Sequence, residues 1–186
     1  MVFGFFSRTK PQASVDRLYG DIVAAARLPA LYARMGVPDT VMGRFDALAL
    51  HVIVVLRRLR QVPEPGPALA QELVDRFFAD LDAALREIGI GDVSVPKKVK
   101  KLGQAFYGRA QAYEAALSDA APALALEQAL ARNVLEKPDA PALATALAQH
   151  MRLLIRQIDT CDIEAFLTGQ TLQSLAGVAS QGVGDV

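Results

Sequence analysis

Tryptophan is missing from this chain, cysteine occurs once, and aromatic residues fill only 6% of its 186 positions. A single Cys161 cannot form an internal disulfide, so packing must hold the fold, and the chain suits a reducing compartment. No His or Lys beside Cys161 in the sequence would activate its thiol. His51 and His150, the two histidines, lie far apart, and neither has a second His or Cys at metal-site spacing. An excess of one charge is also lacking, because 20 Lys and Arg balance 20 Asp and Glu. This argues against broad nucleic-acid binding through phosphate neutralisation, so any basic function has to be local. Neither DNA nor a metal is an expected partner. The longest apolar run, Ala47 to Leu56, is broken by His51 and would make roughly 15 Å of helix, about half a bilayer core. No transmembrane span is expected. The N-terminal MVFGFFSRTK places its cations after its apolar run, the reverse of a secretory signal, and lacks the Arg- and Ser-rich amphipathic stretch of a mitochondrial transit peptide.

Reactive constellations are absent too. A helical prenyl-transfer enzyme needs two facing aspartate-rich clusters for magnesium. Here one loose group, Glu72, Asp75, Asp80, Asp82 and Glu87, is interleaved with Arg76 and Arg86, giving Arg76/Asp80 and Asp82/Arg86 pairs at the i,i+4 spacing of a solvated helix face. GIGD at Gly89 to Asp92 follows no strand pattern, so it is not a phosphate loop. Without an acid, base, nucleophile or cofactor motif, the chain reads as a non-enzyme with no cofactor.

What is present is helical periodicity. Hydrophobic residues make up 52% of the chain, Ala and Leu are abundant, and apolar positions recur at helical spacing. Ser14 is the expected cap of a first helix with a Val15, Leu18, Tyr19, Ile22, Val23 and Ala26 stripe. Pro29 to Met35 forms a turn closed by Gly36, and Asp39 caps a helix running to about Arg60. That helix has a stripe of Val41, Phe45, Leu48, Val52, Leu56 and Leu59, yet Leu50, Ile53 and Val54 point the other way, which predicts a buried central helix. The Pro-rich Gln61 to Pro67 is a loop and the best place for a subdivision. Helices are then expected over about Ala68 to Ile88, with Ile88 on the core face and Gly89 as terminator, and over Lys97 to about Leu117. Further helices start at Pro122 and Pro141, the latter with a Leu143, Leu147, Met151, Leu154 and Ile158 stripe, and a short one covers Asp162 to Leu167. The reading is all-α: a single-domain helical bundle of about six to eight helices. Residues 1–13 form a flexible N-terminal segment, 14–169 the helical domain and 170–186 a flexible tail.

Two faces distinguish the helix that begins near Pro96. Val99, Leu102, Phe106, Ala110, Tyr113 and Leu117 project to one side, with Lys97, Lys98, Lys100 and Lys101 opposite. Gly103 and Gly108 each cost roughly 1 kcal/mol relative to alanine in a helix interior, and Gly108 projects into the basic side, leaving backbone accessible there. Cations at a helix N-terminus oppose the dipole, so four of them suggest a use other than stability. Partner-binding candidates are therefore Lys97, Lys98, Lys100, Lys101, Tyr107 and Arg109, together with Arg57 and Arg58 near the end of the buried helix. Phe3, Phe5 and Phe6, beside Arg8 and Lys10, have the composition of a weak interfacial anchor.

The strings FDALALHVIVVLRRLR (Phe45 to Arg60), VDRFFADLDAALREIGIGDVSVPK (Val74 to Lys97) and KKVKKLGQAFYGRAQAY (Lys97 to Tyr113) closely resemble the ubiquinol-cytochrome c chaperone family. The resemblance implies a bacterial assembly chaperone for cytochrome b of respiratory complex III. It would be cytoplasmic and peripheral to the inner membrane, with the cytochrome b nascent chain as client and the ribosome as a further partner. The competing expectation is a soluble helical carrier with a lipid or quinone between its helices.

Overall fold

Every residue from Ala49 to Leu56 is buried, on all sides of one helix. The computed structural model describes residues 9–135 and 139–168, with side chains from residue 13 onward. Among these the chain forms eight α-helices and a π-helical turn. They are α1 (Thr9–Ala26), α2 (Pro29–Ala33), α3 (Val41–Leu59), α4 (Gly66–Glu87), α5 (Val95–Ala116), α6 (Ala125–Leu130), the π turn (Ala131–Leu135), α7 (Pro141–Asp159) and α8 (Ile163–Thr168). Helices α1, α4, α5 and α7 and the π turn all pack against α3, which gives a helix that is apolar all round apolar neighbours all round. Full burial of each Val, Leu or Ile contributes about 1.5–3 kcal/mol. No helix of the described residues is long and apolar enough to cross a membrane.

Several helix ends differ from expectation for local reasons. Helix α1 starts at Thr9 rather than at a Ser14 cap. Pro11 falls in its first turn, where a missing N–H loses no intrahelical bond. Ser14 instead donates to the Leu167 carbonyl at 3.3 Å, tying α1 to α8, and residues 9–13 form the first turn of the helix. Thr40, not Asp39, caps α3: its hydroxyl accepts from the Gly43 N–H at 3.1 Å, while Asp39 pairs with Arg44 at 2.8 Å. Gly43 permits this start, because a Cβ there would lie 1.9 Å from the Pro38 carbonyl oxygen. Val41, at the first helical position, is exposed rather than part of the buried stripe.

The 61–67 connection does not divide the molecule. Val62 is buried within it, α4 begins inside it at Gly66, and one core cluster runs from Val15 to Phe166. Helix α4 ends where Gly89 takes φ +83°, with Gly89 N–H donating to the Arg86 carbonyl and Ile90 N–H to that of Leu85, the Schellman pattern. Ile88 is already leaving the helix there and is exposed, not core. Between α1 and α4, Arg76 reaches Asp16 at 2.9 Å and Asp80 at 3.4 Å and covers the Tyr19 ring, whose hydroxyl donates to Asp80 at 2.8 Å. The Asp82/Arg86 pair also forms. Pro122 does not start a helix; α6 begins at Ala125, after Leu124 in the left-handed region (φ +65°). Pro141 does start α7, and Asp162 caps α8 by accepting from the Ala165 N–H at 2.9 Å.

Candidate functional site

Helix α5 carries both sequence-predicted faces. Phe106 and Tyr113 are buried, and Val99, Leu102, Ala110 and Leu117 half-buried, whereas Lys97, Lys98, Lys100 and Lys101 are exposed. Phe106 sits in an aromatic cluster with Phe77 (centroids 5.0 Å apart), Phe78 (5.8 Å) and Tyr107 (5.3 Å). A Cβ at Gly103 would reach the Phe78 ring at ordinary contact distance, and one at Gly108 would meet nothing within 4 Å, so backbone on the Gly108 side is open.

Arg109 is not part of the lysine face. Its guanidinium turns inward to Asp46 of α3 at 2.8 Å, with both side chains largely removed from solvent. It also donates to the Asn133 carbonyl in the π turn through Nε and Nη2 at 3.3 and 3.2 Å and lies 5.7 Å from the Phe45 ring centroid. Helix ends leave carbonyls without intrahelical donors, and Arg109 supplies donors here while joining α3, α5 and the π turn. Arg57 pairs with Asp159 at 2.9 Å, and Arg58 donates twice to the Cys161 carbonyl, at 3.1 and 2.8 Å. These three arginines are engaged by the fold. Phe3, Phe5 and Phe6 lie outside the described residues.

The C-terminal part of α3, the C-terminal half of α5 and Met151 of α7 line a groove of about 230 Å³. Its apolar walls include Ile53, Leu56, Phe106, Leu117 and Met151, and Arg57, Arg60, Gln61 and Glu114 add polar groups. Tyr107, 53% exposed, also lines it, so two residues chosen from sequence, Arg57 and Tyr107, meet in one place. The Tyr113 hydroxyl is buried there without a hydrogen-bond partner among the described residues, and burial raises its pKa. Small-molecule pockets usually span about 300–1,000 Å³. The groove is thus sized for a few side chains rather than a whole lipid or quinone.

His51 and His150 are far apart in the sequence, and the fold brings them together. His51 Nδ1 donates to the Ala47 carbonyl at 2.7 Å, leaving Nε2 as an acceptor for His150 Nε2–H at 3.3 Å. Burial lowers the His51 pKa to about 4, and burial with the neighbouring ring lowers that of His150 to about 3. Both are neutral struts between α3 and α7. Each interrupts an apolar helix face in the sequence, which was the available signal. Among the described residues no group of three or more His, Cys, Asp or Glu could hold a metal ion.

A family model described as ubiquinol-cytochrome C chaperone matches residues 33–173. The chain belongs to the ubiquinol-cytochrome c chaperone family. A crystal structure of the Cbp3 homolog from Brucella abortus is similar at 43% identity, covering 86% of this chain and 88% of that one, with a TM-score of 0.73. That source is in keeping with a bacterial member. Among curated proteins, the chain is 26% identical over 170 residues to ubiquinol-cytochrome-c reductase complex assembly factor 1 of Xenopus laevis, and 25% identical over 168 residues to the Mus musculus protein of that name. It spans 84% of the frog protein's length and 56% of the mouse protein's.

Proposed function

We propose that this chain is an assembly chaperone of the ubiquinol-cytochrome c reductase complex, acting at the cytoplasmic side of the inner membrane with newly made cytochrome b as its client. The observation that carries the reading is the family match over residues 33–173, to which the similar curated proteins add their role as complex assembly factors. The α3–α5 groove supports it physically. A client segment binds there by placing an apolar side chain against Phe106, Leu117 and Met151, with Tyr107 at the lip and Arg60 at the rim. Aromatic side chains such as Tyr107 are favoured anchors at interfaces, since they bring large area at low entropic cost. No step of bond making or breaking is involved. The ribosome is the further proposed partner, and Phe3, Phe5 and Phe6 the proposed N-terminal membrane contact.

The reading is tested in cells lacking the protein. Membranes should lose the reduced b-type haem absorbance of complex III. Wild type should restore it, whereas a Tyr107→Asp variant that still accumulates as folded protein should not. Affinity capture after a short radioactive pulse should retain labelled cytochrome b. Capture of a different complex III subunit would place the client elsewhere, and normal b-type haem without the protein would refute the assembly role.

A further inference from the structure

The connection between α4 and α5 presents apolar side chains to water where nothing in the fold uses them. After the Schellman closure at Gly89, the Ser94 N–H donates to the Gly91 carbonyl at 2.8 Å, closing a turn with Asp92 and Val93 at its two central positions. Gly, Asn, Asp and Ser are the usual residues of such turns. Val93 is instead 96% exposed at the apex, and Ile88, at the C-cap of α4 where the connection begins, is 57% exposed. A side chain so exposed contributes almost nothing to folding. Arg86 pairs with both Asp82 and Asp92, which fixes the turn to α4 and neutralises its own carboxylate. One helical turn further on stand Lys97, Lys98, Lys100 and Lys101, all exposed and in none of the ion pairs among the described residues. At 1.5 Å of rise per residue they occupy roughly 6 Å of helix axis, and Lys97 and Lys98, the two nearest the turn, lie within about one Debye length of it at physiological salt.

We propose that the 88–94 turn and the first lysines of α5 form one membrane-docking surface, in which Val93 and Ile88 enter the interface of an anionic bilayer while the lysines meet lipid phosphates. The lysines alone would suit any polyanion, including RNA. The apolar apex decides for lipid, because an aliphatic side chain gains free energy on leaving water for acyl chains and gains nothing against a phosphate backbone. Binding by two aliphatics and four cations is weak and reversible, as a peripheral chaperone requires. The inference rests on the reading of a chaperone acting at a membrane, but its test uses only purified protein and lipid. Failure here would leave client capture standing, and failure of client capture would leave this surface standing.

The full chain is floated with phosphatidylcholine vesicles with and without phosphatidylglycerol. Binding should require phosphatidylglycerol and fall about fivefold for each lysine changed to Gln. Val93→Asp should lower it about tenfold without changing the melting temperature. As a second readout, Val93→Cys in a Cys161→Ala background carries an environment-sensitive fluorophore. Its emission should shift to the blue on adding anionic vesicles, while the same label at Asp119, beyond the far end of a helix about 33 Å long, should not shift. Absence of wild-type binding to anionic vesicles overturns the proposal. So does loss of binding with the lysines but not with Val93→Asp and no shift of the Val93 label, which is the pattern of a general polyanion site such as one for RNA.

Discussion

Arg57, Arg58 and Arg109 each end on an oxygen of a segment packed against their own helix, whereas Lys97, Lys98, Lys100 and Lys101 end in solvent. In the sequence both sets are clusters of cations on amphipathic helices. The difference follows from the side chains: a planar guanidinium with several fixed donors can satisfy a carboxylate and a carbonyl at once, as Arg109 does, while an ammonium is a compact, strongly hydrated charge. The arginines stabilise the bundle, and the lysines are free to recognise something outside it. This contrast makes stability and function separable by mutation.

The largest effect should come from the buried pair. Asp46→Ala leaves Arg109 uncompensated beside the π turn, and breaking a buried pair on one side costs about 3–5 kcal/mol, or roughly 6–20 °C in melting temperature for a chain of this size. A shift within a degree or two would mean that Arg109 is solvated like the lysines. Next comes the aromatic cluster: Phe106→Ala should cost about 3–5 kcal/mol through cavity formation, and Tyr107→Ala, half exposed at the groove, clearly less. Equal losses would show that the groove lip is part of the core.

Acid should act through the histidines. Both are neutral in the fold with pKa values lowered to about 4 and about 3, whereas an unfolded chain protonates them near pH 6.5. Their contribution is complete above about pH 6.5 and is lost as pH falls toward 4, at up to about 1.4 kcal/mol per pH unit for each. Chemical denaturation across that range should show the slope, and His51→Leu with His150→Leu should flatten it. The smallest effect belongs to the lysines. Changing all four to Gln should cost no stability, since it relieves cations that oppose the α5 dipole and changes stability by only about a few tenths of a kcal/mol for each, and it should leave the acid slope unchanged because Gln does not titrate.

Much of this fold can be read from periodicity, because the burial of Leu50, Ile53 and Val54 follows from their placement on the far side of an already apolar helix. The ends were less legible. Asp39 and Thr40 are both good caps, and only the close approach of the 37–38 backbone to Gly43 selects between them. Pro122 carries a helix-start signal, but the chain makes a further turn through Leu124 before α6. For the site, helical spacing separated lysines from core on α5. It could not reveal that Arg109 reaches Asp46, that His51 meets His150, or that α3 and α5 part to form a groove, since each is a contact between residues distant in sequence. Val93 was hidden by its type: an isolated Val in a loop has no period to expose it.

With the groove serving the client and the α4–α5 turn serving lipid, one measurement tests the division directly. A photo-crosslinking residue is placed at Tyr107 or at Val93, and cells are irradiated during a pulse of protein synthesis. Tyr107 should give an adduct with newly made cytochrome b and Val93 none, while purified protein labelled at Val93 should crosslink to anionic lipid. Cytochrome b adducts from Val93 with none from Tyr107 would contradict the assignment of the two faces.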